Sequence, residues 1–123
     1  MDKFFKVTIY VDTDGDYTFS KTENWQGNYL IEYFKELKNA KTFIKETFQK
    51  IIETATFPCY CHEAFREIID RVNYTNPEYL LDEMIDFGNT HIETLIELYT
   101  PKTIILKDTK EEVFSFVENK KYQ

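Results

Sequence analysis

The stretch FFKVTIYVDTDGDYTFSKT, residues 4–22, alternates apolar and polar side chains around a central Asp14-Gly15 dipeptide. A period of two is typical of a strand with one buried face, and Asp-Gly is a favoured two-residue hairpin turn. The stretch therefore predicts an N-terminal β-hairpin. With a turn of that type, Tyr10 lies opposite Phe19 and Val11 lies opposite Thr18.

The two faces of this predicted hairpin differ in chemistry. One is a predicted core face and carries Phe5, Val7, Ile9 and Val11. The other presents aromatic rings beside lysines. If no other segment covers them, these rings form an apolar strip that predicts a homodimer through Tyr10, Tyr17 and Phe19.

The middle of the chain has the spacing of helices, with apolar residues every three to four positions. Four helices are predicted. The first runs from Asn28 to Thr54 or breaks near Asn39, and the second follows a loop over residues 56–61 and buries Phe65, Ile68, Ile69 and Val72. The third is opened by Thr75-Asn76-Pro77-Glu78 and stopped by Gly88, and the fourth runs from Asn89-Thr90 to Thr100-Pro101.

The C-terminal segment predicts one more strand and one more helix. Thr103–Leu106 is an apolar run that can join the N-terminal hairpin, while Thr109 and Glu112 form a capping-box pair that favours a terminal helix. Val113–Val117 also fits a strand. The predicted order is β-β-α-α-α-α-β-α, an α+β fold with a small antiparallel sheet against a helical middle. A length of 123 residues predicts a single acidic domain over residues 1–123.

Several features favour a cytoplasmic protein. The N-terminal MDKFFKVTIYVD lacks the apolar run of a secretory signal, and no run of 18 apolar residues occurs in the sequence. Cys59 and Cys61 have one residue between them, which is too close for an ordinary structural disulfide. These observations predict a reducing compartment.

Charge is distributed very unevenly along the sequence. Nine acidic and two basic residues lie between Glu63 and Tyr99, a net charge of −7 that equals the charge of the whole chain. Placed on helices, these acids stack at intervals of four residues and repel one another slightly. The pattern indicates a negative surface for a basic partner, and the predicted partner-binding residues are Glu78, Asp82, Glu83, Asp86, Glu93 and Glu97.

This acidic block favours a small protein-binding inhibitor or decoy. Such a protein blocks the basic surface of a nucleic-acid-handling protein, as phage or mobile-element anti-defence factors of the anti-CRISPR type do. An immunity protein that neutralises a basic nuclease toxin requires the same charge. A solvated face that only aids solubility is the alternative without a partner. Direct nucleic-acid binding is disfavoured by the net charge.

Signals for catalysis and for cofactors are weak, and we expect neither. The three glycines are scattered, so there is no Gly-rich phosphate loop, and no Gly-x-Ser-x-Gly elbow occurs. A metal-binding regulator or enzyme could draw four donors from Cys59, Cys61, His62 and His91. Structural zinc sites usually space paired cysteines by two to four residues, whereas here the spacing is one.

We therefore expect protein purified without added metal to contain far less than one zinc ion per chain by elemental analysis. Cys61→Ser should leave the melting temperature almost unchanged. Stoichiometric zinc, or unfolding on addition of a chelator, would establish the metal-binding alternative.

Overall fold

The computed structural model describes residues 4–13, 18–56, 59–76, 80–87, 90–105, 108 and 112–118. Six strands and two helices lie within these ranges. The strands are β1 (Phe4–Asp12), β2 (Trp25–Gln26), β3 (Tyr29–Phe34), β4 (Asp82–Phe87), β5 (Thr90–Ile105) and β6 (Glu112–Glu118). The helices are α1 (Leu37–Thr54) and α2 (Cys59–Val72).

The strands form one antiparallel sheet in the order β2-β3-β1-β5-β4. β6 pairs with the second half of β5, over Tyr99–Ile105. The predicted α+β class is confirmed, but the predicted order with its four central helices is wrong.

The segment predicted as a fourth helix is instead the first half of β5, a strand of 16 residues. Ile92 and Ile96 satisfy a helical spacing, but they also lie on one face of a strand together with Thr90 and Thr94. These four residues are all β-branched and all buried. Pairing with β1 on one edge and β4 on the other selects the strand.

Two further helix predictions fail in the same way. Residues 82–87 form β4, in which Ile85 packs against the core and Met84 is exposed. Residues 29–34 form β3, so the first helix begins at Leu37 and not at Asn28. Both segments alternate between the two faces of the sheet, and pairing with a neighbouring strand satisfies their backbone groups.

The N-terminal prediction is confirmed for β1 and wrong for its partner. Val7, Ile9 and Val11 are buried, as the alternation predicts. The neighbours of β1 are β3 and β5, so the residue opposite Tyr10 is Tyr29 and not Phe19. Residues 14–17, which include the expected turn, lie outside the described residues.

The C-terminal predictions are partly confirmed. Thr103, Ile104 and Ile105 lie on a strand, and that strand pairs with β1 through its first half. Residues 112–118 form β6, so the strand alternative for this segment is the correct one and the terminal helix is wrong.

Both helices pack on the same face of the sheet. α1 contacts β1 and β3, and α2 contacts α1 and β4. The rings of Phe48 and Phe65 meet between the helices with centroids 5.7 Å apart. The second helix begins at Cys59, earlier than the predicted loop allows. Neither described helix is long and apolar enough to cross a membrane.

Two lysines of α1 hold the segment that directly follows the C-terminus of α2. Lys41 Nζ donates hydrogen bonds to the carbonyl oxygens of Asn73 and Thr75 at 3.2 and 2.8 Å, and Lys45 Nζ lies 3.0 Å from Asn73 Oδ1. Cations near the C-terminus of a helix interact favourably with its unpaired carbonyls and its dipole. Lys41 and Lys45 therefore have a structural role.

The buried hydroxyl of Thr94 allows a test of how the core contributes to stability. Its side chain is fully buried, and its Oγ1 has no hydrogen-bond partner within the described part of the chain. Because a buried unpaired hydroxyl is costly, Thr94→Val should raise the free energy of unfolding in urea by about 1 kcal/mol. Thr8→Val, on the opposite face of the neighbouring strand, is the control and should change it little. Destabilisation by Thr94→Val would mean that the hydroxyl is paired.

Candidate functional site

The face of the sheet turned away from both helices is here called the outer face. Its members alternate with the core residues along four strands, as the pairing registers define. They are Lys6, Thr8, Tyr10 and Asp12 of β1, Tyr29, Ile31 and Tyr33 of β3, Asp82, Met84 and Asp86 of β4, and His91, Glu93, Leu95 and Glu97 of β5. The described helices contact only the other side.

Aromatic and aliphatic side chains are concentrated on β3, where they are unusually exposed. Tyr29, Ile31 and Tyr33 are 47, 41 and 48% exposed, and the ring of Tyr10 on β1 lies 4.6 Å from that of Tyr29 between centroids. We call these four residues the aromatic patch. A groove of about 260 Å³ runs beside Tyr29, Ile31 and Tyr33 and is also lined by Asn24 and Gln26.

Carboxylates occupy the part of the outer face that adjoins the aromatic patch. Asp82, Asp86 and Glu93 are exposed there, and Asp12 of β1 joins them across the sheet, since His91 pairs with Asp12 on one side and Asp86 on the other. We call these four acids the acidic patch. Met84, 64% exposed, lies between Asp82 and Asp86 on the same face.

The predicted partner-binding residues do not all share this patch. Asp82, Asp86 and Glu93 belong to it, whereas Glu97, on the same face opposite Lys6, is buried. Glu83 points to the helix side of the sheet. Glu78 lies outside the described residues.

Glu83 forms ion pairs within the fold. The guanidinium of Arg71 on α2 contacts both Glu83 and Glu67, and the hydrogen bond to Glu83 is the main cause that raises the pKa of Arg71. This cluster joins α2 to β4. Glu83 therefore links two elements of the fold and does not belong to the acidic patch.

The sequence prediction missed Asp12 and the three members of the aromatic patch that lie on β3. Asp12 lies outside the acidic block along the chain, and the pairing of β1 and β4 with β5 places Asp12 and Asp86 on either side of His91. Tyr29, Ile31 and Tyr33 lie within the first predicted helix, which begins at Asn28. The available signal was the enrichment of YLIEYF in aromatic and β-branched residues, which favours a strand.

The alternative metal site is not assembled by the described residues. His91 is on the outer face, whereas His62 lies on α2 on the opposite side of the sheet. No cluster of three potential ligands occurs within the described ranges. The side chains of Cys59 and Cys61 lie outside the described residues.

Tyr10 and Phe19, two of the three residues predicted to form a dimer interface, also lie apart in the structure. Tyr10 lies on the outer face, while Phe19 packs against the core beside Trp25, with ring centroids 5.4 Å apart. Tyr17 lies outside the described residues. The ring of Tyr10 contacts those of Tyr29 and His91, with centroids 4.6 and 5.8 Å away.

No protein-family model, curated protein or solved structure matches this chain in the three comparisons made. The outer face is therefore the part of the described structure that indicates a function. A broad face with exposed rings next to exposed carboxylates is suited to contact with a macromolecule.

One interaction on this face responds to pH. His91 Nδ1 lies 2.5 Å from Asp86 Oδ1, and Nε2 lies 3.2 Å from Glu93 Oε2. The hydrogen bond to Asp86 is the main cause that raises the pKa of His91, Glu93 adds to it, and burial acts in the opposite direction.

Because the folded protein favours the protonated imidazole, this interaction stabilises the fold below the ordinary histidine pKa of about 6.5 and is lost as the pH rises through the higher folded pKa. Asp86→Asn should lower the pKa of His91 measured by NMR. It should also destabilise the protein more near pH 5.5 than near pH 9. Asp70→Asn, an exposed acid on α2, is the control. An unchanged pKa of His91 in Asp86→Asn would contradict the assignment.

Proposed function

We propose that the protein is a small acidic inhibitor or decoy that blocks the basic surface of a nucleic-acid-handling protein, in the manner of phage or mobile-element anti-defence factors. The observation that supports this proposal is the acidic patch, in which Asp12, Glu93, Asp82 and Asp86 come from three adjacent strands and face the same way. Positively charged surfaces that hold nucleic acid attract such an array.

The dimensions of the patch suit a protein surface. Asp82 and Asp86 are four residues apart on a strand, about 14 Å, whereas the same spacing on a helix is about 6 Å. The step from β1 across β5 to β4 adds about 10 Å in the other direction. The charges therefore cover an area that several lysines or arginines of a partner can contact at once.

The strand geometry also lowers the electrostatic repulsion between Asp82 and Asp86. Screening in physiological salt shortens the reach of a charge to about 8 Å, which is less than the separation of Asp82 and Asp86 along β4. The repulsion that a helix would impose on these two acids is largely absent. The presence of both Asp82 and Asp86 on β4 therefore costs the fold little stability.

Charge reversal on the acidic patch tests the proposal. Asp82→Lys with Asp86→Lys should reduce the association rate with the partner about tenfold or more, because opposite charges accelerate encounter. The matched control is Glu46→Lys with Glu53→Lys, which makes the same change of net charge on exposed positions of α1. Partners are identified by mass spectrometry after capture from the native host by the unaltered protein and by both variants.

Proteins retained by the control and lost with the patch variant should bind nucleic acid, and DNA or RNA should displace them from the unaltered protein. Association should also slow as salt rises. Equal losses with the two variants, or indifference to salt, would leave only a solvated acidic face. Capture of a toxin nuclease would instead indicate an immunity protein.

A further inference from the structure

The aromatic patch lies on the same face as the acidic patch and has no role in attracting a basic partner from a distance. The solvated face of an antiparallel sheet is normally polar, yet Tyr29, Ile31 and Tyr33 present apolar surface at every second position of β3. A contiguous exposed group of this kind marks a contact site.

We propose that the aromatic patch binds arginine side chains of the basic partner, so that the outer face selects arginine over lysine. This inference rests on the proposed function, since it names the residue chemistry that the same face recognises. The arginine site goes beyond the proposed function because the tyrosines, and not the carboxylates, select arginine over lysine.

The geometry places a ring and a carboxylate side by side. Tyr29, Tyr10 and Glu93 are direct neighbours across three strands, and Asp12 lies two residues beyond Tyr10 on the same face. The planar guanidinium of arginine can stack on an aromatic ring while its N–H groups donate to an adjacent carboxylate. The compact ammonium group of lysine lacks the planar fork that makes both contacts together.

The groove beside the aromatic patch fits the same occupant. Its volume of about 260 Å³ leaves room for one long side chain. Asn24 and Gln26 line it with amide groups whose oxygens can accept hydrogen bonds from a guanidinium. The groove is therefore suited to one long side chain that lies against Tyr29 and Tyr33.

Charge complementarity favours a basic partner over a second copy of this chain. A second copy placed on this face adds another net charge of −7 and a second acidic patch of Asp12, Asp82, Asp86 and Glu93. Among the described residues of this face, the cationic side chains are those of Lys6 and His91, and His91 contacts Asp86 and Glu93. Arginine-bearing surfaces supply the missing positive charge.

Two peptide probes stand in for the basic surface of the partner. Binding of nona-arginine and of nona-lysine is measured by calorimetry in low salt. The unaltered protein should bind nona-arginine about three- to tenfold more tightly, because each ring contributes a modest cation–π attraction. Tyr29→Thr with Tyr33→Thr keeps strand-forming residues and should bring the two affinities together. Tyr29→Phe with Tyr33→Phe keeps the rings and should preserve the preference.

The acidic variant separates this inference from the proposed function. Asp82→Lys with Asp86→Lys should weaken binding of both peptides and leave their ratio intact, whereas Glu46→Lys with Glu53→Lys should weaken them less. A retained ratio without any effect of the acidic variant means that the proposed function fails while arginine selection stands. Equal affinities in the unaltered protein, or a ratio that survives the threonine variant, overturn the arginine site.

Light scattering tests whether a second copy of this chain occupies the outer face instead. A monomer is expected, and a dimer that the threonine variant abolishes and the phenylalanine variant keeps would assign the face to a second copy and overturn the inference. Thermal melting checks that the variants fold, as half-exposed positions should allow. If the threonine variant does not fold, NMR of the unaltered protein gives the decision. Ring resonances of Tyr29 should then move with nona-arginine more than with nona-lysine, and equal movement overturns the inference.

Discussion

Pairing between β1 and the first half of β5 is the constraint on which the rest of the structure depends. Nine consecutive residue pairs, from Phe4 with Tyr99 to Asp12 with His91, fix the register of the two strands at the centre of the sheet. This register places Val7, Ile9 and Val11 beside Ile92 and Ile96 on one face. A slip of one residue would turn these side chains to the opposite face and expose them, so burial strongly specifies the register.

The same register assembles the outer face. β3 and β4 extend the sheet on either side of the central pair, and every second residue of the four strands points away from the helices. Since α1 and α2 both pack on the core side, aromatic and acidic side chains remain together on the other. Asp82 and Glu83 are neighbours in the sequence but lie on opposite faces of the sheet. On the helix side, Glu83 forms an ion pair with Arg71 of α2.

The two patches of the outer face suggest a division of roles in binding. Carboxylates attract and orient a positively charged partner over distance, whereas aromatic rings act only at contact. A face that combined them would bind faster through its acids and select its partner's side chains through its tyrosines. Repulsion within the acidic patch is limited because Asp82 and Asp86 lie farther apart along β4 than the screening length and because His91 lies between Asp86 and Glu93.

The sequence by itself determined the α+β class, the core face of β1, the inward residues Phe65, Ile68 and Val72 of α2 and the acidic character of residues 63–99. Alternation, helical spacing and charge count are local properties, so they can be read without knowing the partners of a segment. Tertiary structure decided that residues 29–34, 82–87 and 90–99 are strands. Ile92 and Ile96 fit either period, and only the backbone hydrogen bonds offered by β1 and β4 resolve the ambiguity. Those same long-range pairings brought Asp12 to Asp86 and Tyr10 to Tyr29 and sent Glu83 to the helix side, because a strand separates adjacent side chains onto opposite faces.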